Sequence, residues 1–215
     1  MEYAIEVRNL TKRYKDFTLD DISFALPRGT VMGLIGENGA GKSTLINSIL
    51  GIADSESSLT AMLGLDMKTH SKKVKEDIAV IFNDSHYDIN LTPKIIGHIL
   101  SKVYKNWDAP LFSEYLERFN LPEKKKIKKL STGMRVKLEF AAALSHHPKL
   151  LILDEATSGL DPVFRDEILD ILREFTEDED HAVLMSSHIT SDLDKIADYI
   201  AYLHEGKMQF IKTYD

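Results

Sequence analysis

Hydrophobic and polar positions alternate over residues 3–7 in the manner of a half-buried strand, and residues 17–26 repeat the pattern before the turn Pro27-Arg28-Gly29. Two such segments in succession predict a small antiparallel sheet. The next segment, Val31-Met32-Gly33-Leu34-Ile35, is apolar throughout, as expected of a strand buried on both faces of a parallel sheet, and it runs straight into a glycine-rich loop. Residues 150–153 and 182–185 are again short apolar strands, each preceded by a helix-like stretch, 134–145 and 163–175. Strands alternating with helices predict an α/β core around a mainly parallel sheet. Between about residues 90 and 129 the strand signals disappear. Ile95, Ile99 and Val103 fall on one helical face and Leu111, Tyr115, Leu116 and Phe119 on another, which predicts an inserted helical lobe. There are no internal repeats, low-complexity tracts or Gly/Ser linkers, so the lobe is expected to belong to a single domain spanning 1–215, with a core at about 1–88 and 132–215 and the helical part at about 89–131.

Composition narrows the class. With 215 residues, 43% hydrophobic and 28% charged, the chain has the make-up of an ordinary globular protein with one substantial core. Its longest uncharged apolar stretches, 31–35 and 150–153, fall far short of the roughly 20 residues that cross a bilayer, so no span is expected. The N-terminus lacks the basic start and apolar run of a signal peptide, and there is no cysteine, from which a cytosolic location is expected. A net charge of -7 speaks against a nucleic-acid partner. The basic run Lys124, Lys125, Lys126, Lys128 and Lys129 reads as a solvated face.

The chemistry is concentrated at Gly36-Glu37-Asn38-Gly39-Ala40-Gly41-Lys42-Ser43-Thr44, where Gly36, Gly41, Lys42 and Ser43 match the phosphate-binding pattern G-x-x-x-x-G-K-[ST]. Glycines let the backbone curl so that successive N–H groups face phosphate oxygens, and a helix starting near Gly41 adds its positive end. Lys42 is expected to reach the β- and γ-phosphates of ATP, and the Ser43 hydroxyl to coordinate Mg²⁺. A second apolar strand ends in Asp154-Glu155, at the sheet edge that faces a ligand crevice in such folds. Asp154 is expected in the metal shell, and Glu155 to orient and polarise the attacking water.

Taken in order along the chain, these motifs resemble those of the nucleotide-binding subunits of ABC (ATP-binding cassette) transporters, and the resemblance covers nearly the whole sequence. Leu130-Ser131-Thr132-Gly133-Met134 resembles the family signature, with Thr and Met where Gly and Gln are commonest. Ser158-Gly159-Leu160-Asp161 resembles the loop after the Walker B acids, His188 in Ser186-Ser187-His188 the switch histidine, and Tyr14 the aromatic that stacks on adenine. The resemblance implies that Ser131 and Gly133 offer a helix N-terminus to the γ-phosphate of ATP held by a second subunit, that His188 contacts the same phosphate, and that Asp161 acts across the interface. It implies a head-to-tail dimer, homo- or heteromeric, enclosing two ATP molecules, peripheral on the inner face of the cell membrane, with permease subunits as separate chains. One departure concerns the family's Gln after residues 78–82. Asn83, followed by Asp84, stands in its place, and three outcomes are open: metal contact from Asn83 is lost, water-mediated, or taken over by Asp84.

The leading expectation is the ATPase subunit of a bacterial exporter of the peptide or drug type. Two alternatives stand beside it: a soluble ABC-type ATPase acting on ribosome or DNA, and a nucleotide-gated module that does not hydrolyse.

Overall fold

The computed structural model describes residues 3–83, 86–188 and 190–214. In its first part the described chain forms β1 (Tyr3–Arg13), β2 (Thr18–Pro27), β3 (Thr30–Ile35), α1 (Lys42–Ile49), β4 (Leu59–Met62), β5 (Leu65–Asp66), α2 (Met67–Val74) and β6 (Ile78–Phe82). Helices α3 (Pro93–Val103) and α4 (Ala109–Arg118) and a 3-10 turn (Ile127–Lys129) follow without an intervening strand. The chain then continues through α5 (Thr132–Leu144), β7 (Leu150–Asp154), α6 (Pro162–Phe175), β8 (Ala182–Ser186), α7 (Thr190–Ile196), β9 (Tyr199–His204) and β10 (Lys207–Thr213).

Two sheets result. The smaller is antiparallel in the order β2-β1-β4-β5, and the larger runs β10-β9-β3-β8-β7-β6 with only β10 antiparallel to its neighbour among the described residues. The uniformly apolar strands lie in the centre of the larger sheet, and successive residues serve opposite sides. Val31, Leu151, Leu153, Val183 and Met185 pack with the helices α3 to α6, whereas Met32, Leu34, Leu150, Ile152 and Leu184 pack toward α1 and the smaller sheet. Burial on both faces explains why these strands show no polar alternation.

Helix α6 is held through Phe164, which meets Phe119 beyond α4 edge-on at 5.0 Å and Phe140 of α5 at 6.4 Å between ring centroids. Phe164→Ala leaves a cavity that three rigid elements cannot close. It is expected to destabilise the fold by about 3–5 kcal/mol, read as a lower midpoint in urea denaturation.

The helical segment differs from its sequence pattern in one respect. Helix α3 forms as expected, capped by the Thr92 hydroxyl, which accepts from the Ile95 amide at 3.4 Å, but its buried side is Pro93, Ile96 and Gly97. The stripe Ile95, Ile99 and Val103 faces outward, Val103 being 63% exposed, and Ile89 lies exposed just before the helix. The period identifies the helix, but both of its faces are apolar, and only packing selects which one enters the core. At the far end of α3, Lys102 and Lys105 meet Lys72 and Lys73 of α2 across a cleft of about 700 Å³. The basic run Lys124 to Lys129 is exposed apart from Ile127, which is buried.

Candidate nucleotide site

The parallel register places the carboxyl ends of four strands side by side. Leu34 of β3 pairs with Ser186 of β8, Ser186 with Asp154 of β7, and Asp154 with Phe82 of β6. Residues just beyond these positions therefore converge on one edge, where α/β sheets bind ligands. The loop from β3 to α1 closes over that edge and requires glycine. A Cβ on Gly36 would lie 2.3 Å from the Leu203 carbonyl of β9, and Gly41 has φ +107° with its Cβ position 2.6 Å from the Phe17 ring. Gly41 caps α1 without a side-chain bond, so the first amides of the helix and its positive end are offered to the cavity.

Lys42 is only 5% exposed, and its ammonium donates to the carbonyls of Gly36 at 2.8 Å and Glu37 at 3.2 Å. The cavity beside it, about 380 Å³, is lined by Asn38, Gly39, Gly41, Lys42, Ser43 and Thr44 on one side and by Asn83, Asp154 and Glu155 on the other, with Phe17 at its margin. Asp154 is nearly buried and accepts a 2.7 Å hydrogen bond from the Ser186 hydroxyl. Glu155 turns into the left-handed region, φ +54°, a conformation uncommon for a residue with a side chain. Its amide donates to the Ser186 hydroxyl at 3.0 Å and the Ser186 carbonyl at 3.2 Å. Its carboxylate then stands between Lys42 Nζ at 3.6 Å and His188 Nδ1 at 3.4 Å. The following loop is tied down by Thr157, whose hydroxyl donates to the buried Asp192 of α7 at 3.0 Å.

The sequence-derived residues divide into three groups. Asn38, Gly39, Gly41, Lys42, Ser43, Thr44, Asn83, Asp154 and Glu155 share the cavity, and His188 touches it through Glu155. Gly36 and Ala40 form the back of the loop, the Ala40 carbonyl accepting from the Gly206 amide at 3.0 Å. Tyr14, Ser131, Gly133 and Asp161 do not line the cavity. Tyr14 is 50% exposed under the Lys12 ammonium, 5.0 Å from its ring centroid. The Ser131 hydroxyl caps α5 by accepting from the Met134 amide at 3.2 Å, with Gly133 in the same first turn. Asp161 caps α6, and the Phe164 amide that it accepts holds its carboxyl below the usual carboxylate range. Asp84 lies outside the described residues.

Two residues were not singled out from the sequence. Phe17 lies at the margin of this cavity, a signal available as a second aromatic in the same hairpin. Ser186 had none, because a serine ending an apolar strand looks like an ordinary strand terminus.

Ser43 and Asp154 are hard oxygen donors on one cavity, a set suited to Mg²⁺. Among the described residues no group of three or more His, Cys, Asp or Glu side chains is arranged to hold a metal ion, so a cation here would depend on one hydroxyl, one carboxylate and the oxygens of a bound phosphate.

A glycine loop over a helix N-terminus, faced by two acids at the end of another strand of the same parallel sheet, defines a P-loop nucleotide-hydrolysing protein. Comparison with known proteins narrows the class: the family model described as "ABC transporter" matches residues 19–158. The chain belongs to the ABC transporter family, as one of its ATP-binding subunits and an ATPase. It is 35% identical over 211 residues to the bacitracin transport ATP-binding protein BcrA of Enterococcus faecalis, covering 97% of this chain and 68% of that one. It is 33% identical to the lantibiotic transport ATP-binding protein SrtF of Streptococcus pyogenes, covering 98% and 91%. A solved structure described as the ATP binding subunit of an ABC transporter superposes with a TM-score of 0.91 at 26% identity, covering 99% of this chain and 90% of that one.

Proposed function

We propose that this chain is the ATPase subunit of a bacterial exporter of the peptide or drug type, working as a dimer beneath separate membrane-spanning partners. The observation that carries the hydrolytic part is the meeting of Lys42, Ser43, Asp154 and Glu155 on one cavity, with His188 against Glu155. Lys42 binds the β- and γ-phosphates, Ser43 and Asp154 hold Mg²⁺ with Asn83 beside them, and Glu155 orients and polarises the attacking water. Mg²⁺, when bound, neutralises charge on the transferring phosphoryl group. His188 reports the γ-phosphate, and Tyr14 supplies an adenine shelf.

Ser131, Gly133 and Asp161 act on the nucleotide of the opposite subunit. Their absence from their own cavity supports this reading, as does the capped, solvent-facing N-terminus of α5. The whole of 1–215 is one domain, with a core at about 1–88 and 132–215 and a helical part at about 89–131. The exporter class rests on the BcrA and SrtF relatives, which are named for bacitracin and lantibiotic transport.

The membrane partner seats on the outward stripe of α3. Among the described residues no helix is long and apolar enough to cross a membrane, whereas Ile95, Ile99 and Val103 form an exposed apolar line along α3, with Ile89 also exposed in the segment between Asn83 and the helix. This location makes the subunit peripheral on the inner face of the membrane. Ile99→Asp places a charge in the middle of that line without touching the core. The variant is expected to keep its own ATP affinity and to lose co-purification with membranes, by at least tenfold in the bound fraction. Retention on membranes with the stripe charged rules out this seat.

A further inference from the structure

The carboxyl end of β8 carries a group with no assigned role. The Ser186 hydroxyl is buried, 0% exposed, and is bonded on both sides. It donates to Asp154 Oδ1 at 2.7 Å and accepts from the Glu155 amide at 3.0 Å. One hydroxyl therefore sets the direction of the first acid and the backbone turn that aims the second. A hydroxyl suits this task because it donates and accepts at once, which neither an amide nitrogen nor a carbonyl alone can do. Ser186 also pairs with Leu34 of β3 and with Asp154 of β7, so it is referenced to the strand that launches the phosphate loop. Two residues further on stands His188, against the Glu155 carboxylate.

We propose that Ser186 is a positioning residue for hydrolysis: it holds Asp154 and Glu155 in one register relative to the phosphate loop, while making no contact with the nucleotide itself. This inference rests on the hydrolytic reading of the cavity. The carbonyl of Ser186 keeps its own bond to the Glu155 amide at 3.2 Å, so removing the hydroxyl loosens the acids without dismantling the turn.

The test is phosphate release by the purified full chain at saturating Mg-ATP, together with displacement of a fluorescent ATP analogue. Ser186→Ala is expected to lower kcat by roughly 10- to 100-fold, the usual loss when a reacting group is misplaced by about 1 Å, with KM and ATP affinity within about twofold of the parent. Ser186→Thr, which keeps the hydroxyl, is expected to restore most of kcat. Glu155→Gln is measured alongside to separate the two readings. If Glu155→Gln stops release and Ser186→Ala turns over like the parent, the positioning role is overturned while the hydrolytic site stands. If Ser186→Ala loses ATP affinity in step with kcat, the hydroxyl supports the site as a whole rather than aiming the acids, which also overturns the proposal. Undiminished release in Glu155→Gln removes the hydrolytic reading on which the inference rests.

Discussion

Lys42→Ala is expected to abolish ATP turnover and to weaken ATP binding, the largest loss from any single side chain in the cavity. The reason lies in where the ammonium is held. Lys42 is nearly buried, and its stem is enclosed by the loop whose carbonyls at Gly36 and Glu37 accept its protons, so the charge sits at a fixed point at the start of α1. A fixed cation in a partly desolvated site stabilises phosphate oxygens far more than a mobile surface lysine, because no reorganisation is required when charge builds up on them. Charge-assisted hydrogen bonds contribute about 1.5–3 kcal/mol, which corresponds to roughly 10- to 100-fold in ATP affinity. Loss of a preorganised donor to the reacting group costs a further factor of about 10²–10³ in kcat. Lys42→Arg is not expected to rescue, since a planar guanidinium cannot occupy a position shaped for a point charge between two carbonyls. Turnover within threefold of the parent in Lys42→Ala, measured by phosphate release, would remove the site from consideration.

Glu155→Gln is expected to separate binding from hydrolysis. The two side chains are nearly isosteric, and the left-handed turn at this residue is held through its amide by Ser186, which the substitution leaves in place. What disappears is the ability to take a proton from water, a contribution of about 10²–10⁴ in rate. ATP affinity is expected to hold or rise, because a carboxylate 3.6 Å from the Lys42 ammonium competes with phosphate for that cation and an amide does not. The variant is thus expected to accumulate with ATP bound and, on the proposed function, to elute as a dimer in size-exclusion chromatography with ATP and as a monomer without it. Hydrolysis above a tenth of the parent rate would assign the proton to another group.

Much of this was legible in the residues alone. The phosphate loop and the two acids could be read because short-range constraints dominate there: a strand buried on both faces must be apolar throughout, the curled loop must be glycine-rich, and the acids must directly follow a strand. Helix α3 was legible as a helix for the same reason, from its period and its Thr92 cap.

The orientation of that helix was not. Ile95 to Val103 and Ile96 to Leu100 are both apolar rows, and a period cannot say which row is buried when both qualify. The aromatic at the cavity was likewise undetermined, since Tyr14 and Phe17 share one hairpin, and only the approach of β2 to the Gly41 turn brings Phe17 to the margin. Ser186 had no local signature at all: its partners are 31 and 32 residues away in sequence.

By itself, then, the sequence determined the class of chemistry, because the phosphate loop and the strand-end acids are written in contiguous residues whose conformations follow from glycine, helix ends and burial. Only the tertiary structure decided how those acids are aimed and which face of α3 remains open. Both depend on contacts between strands and helices distant along the chain, and such contacts arise from packing the whole core rather than from any local preference.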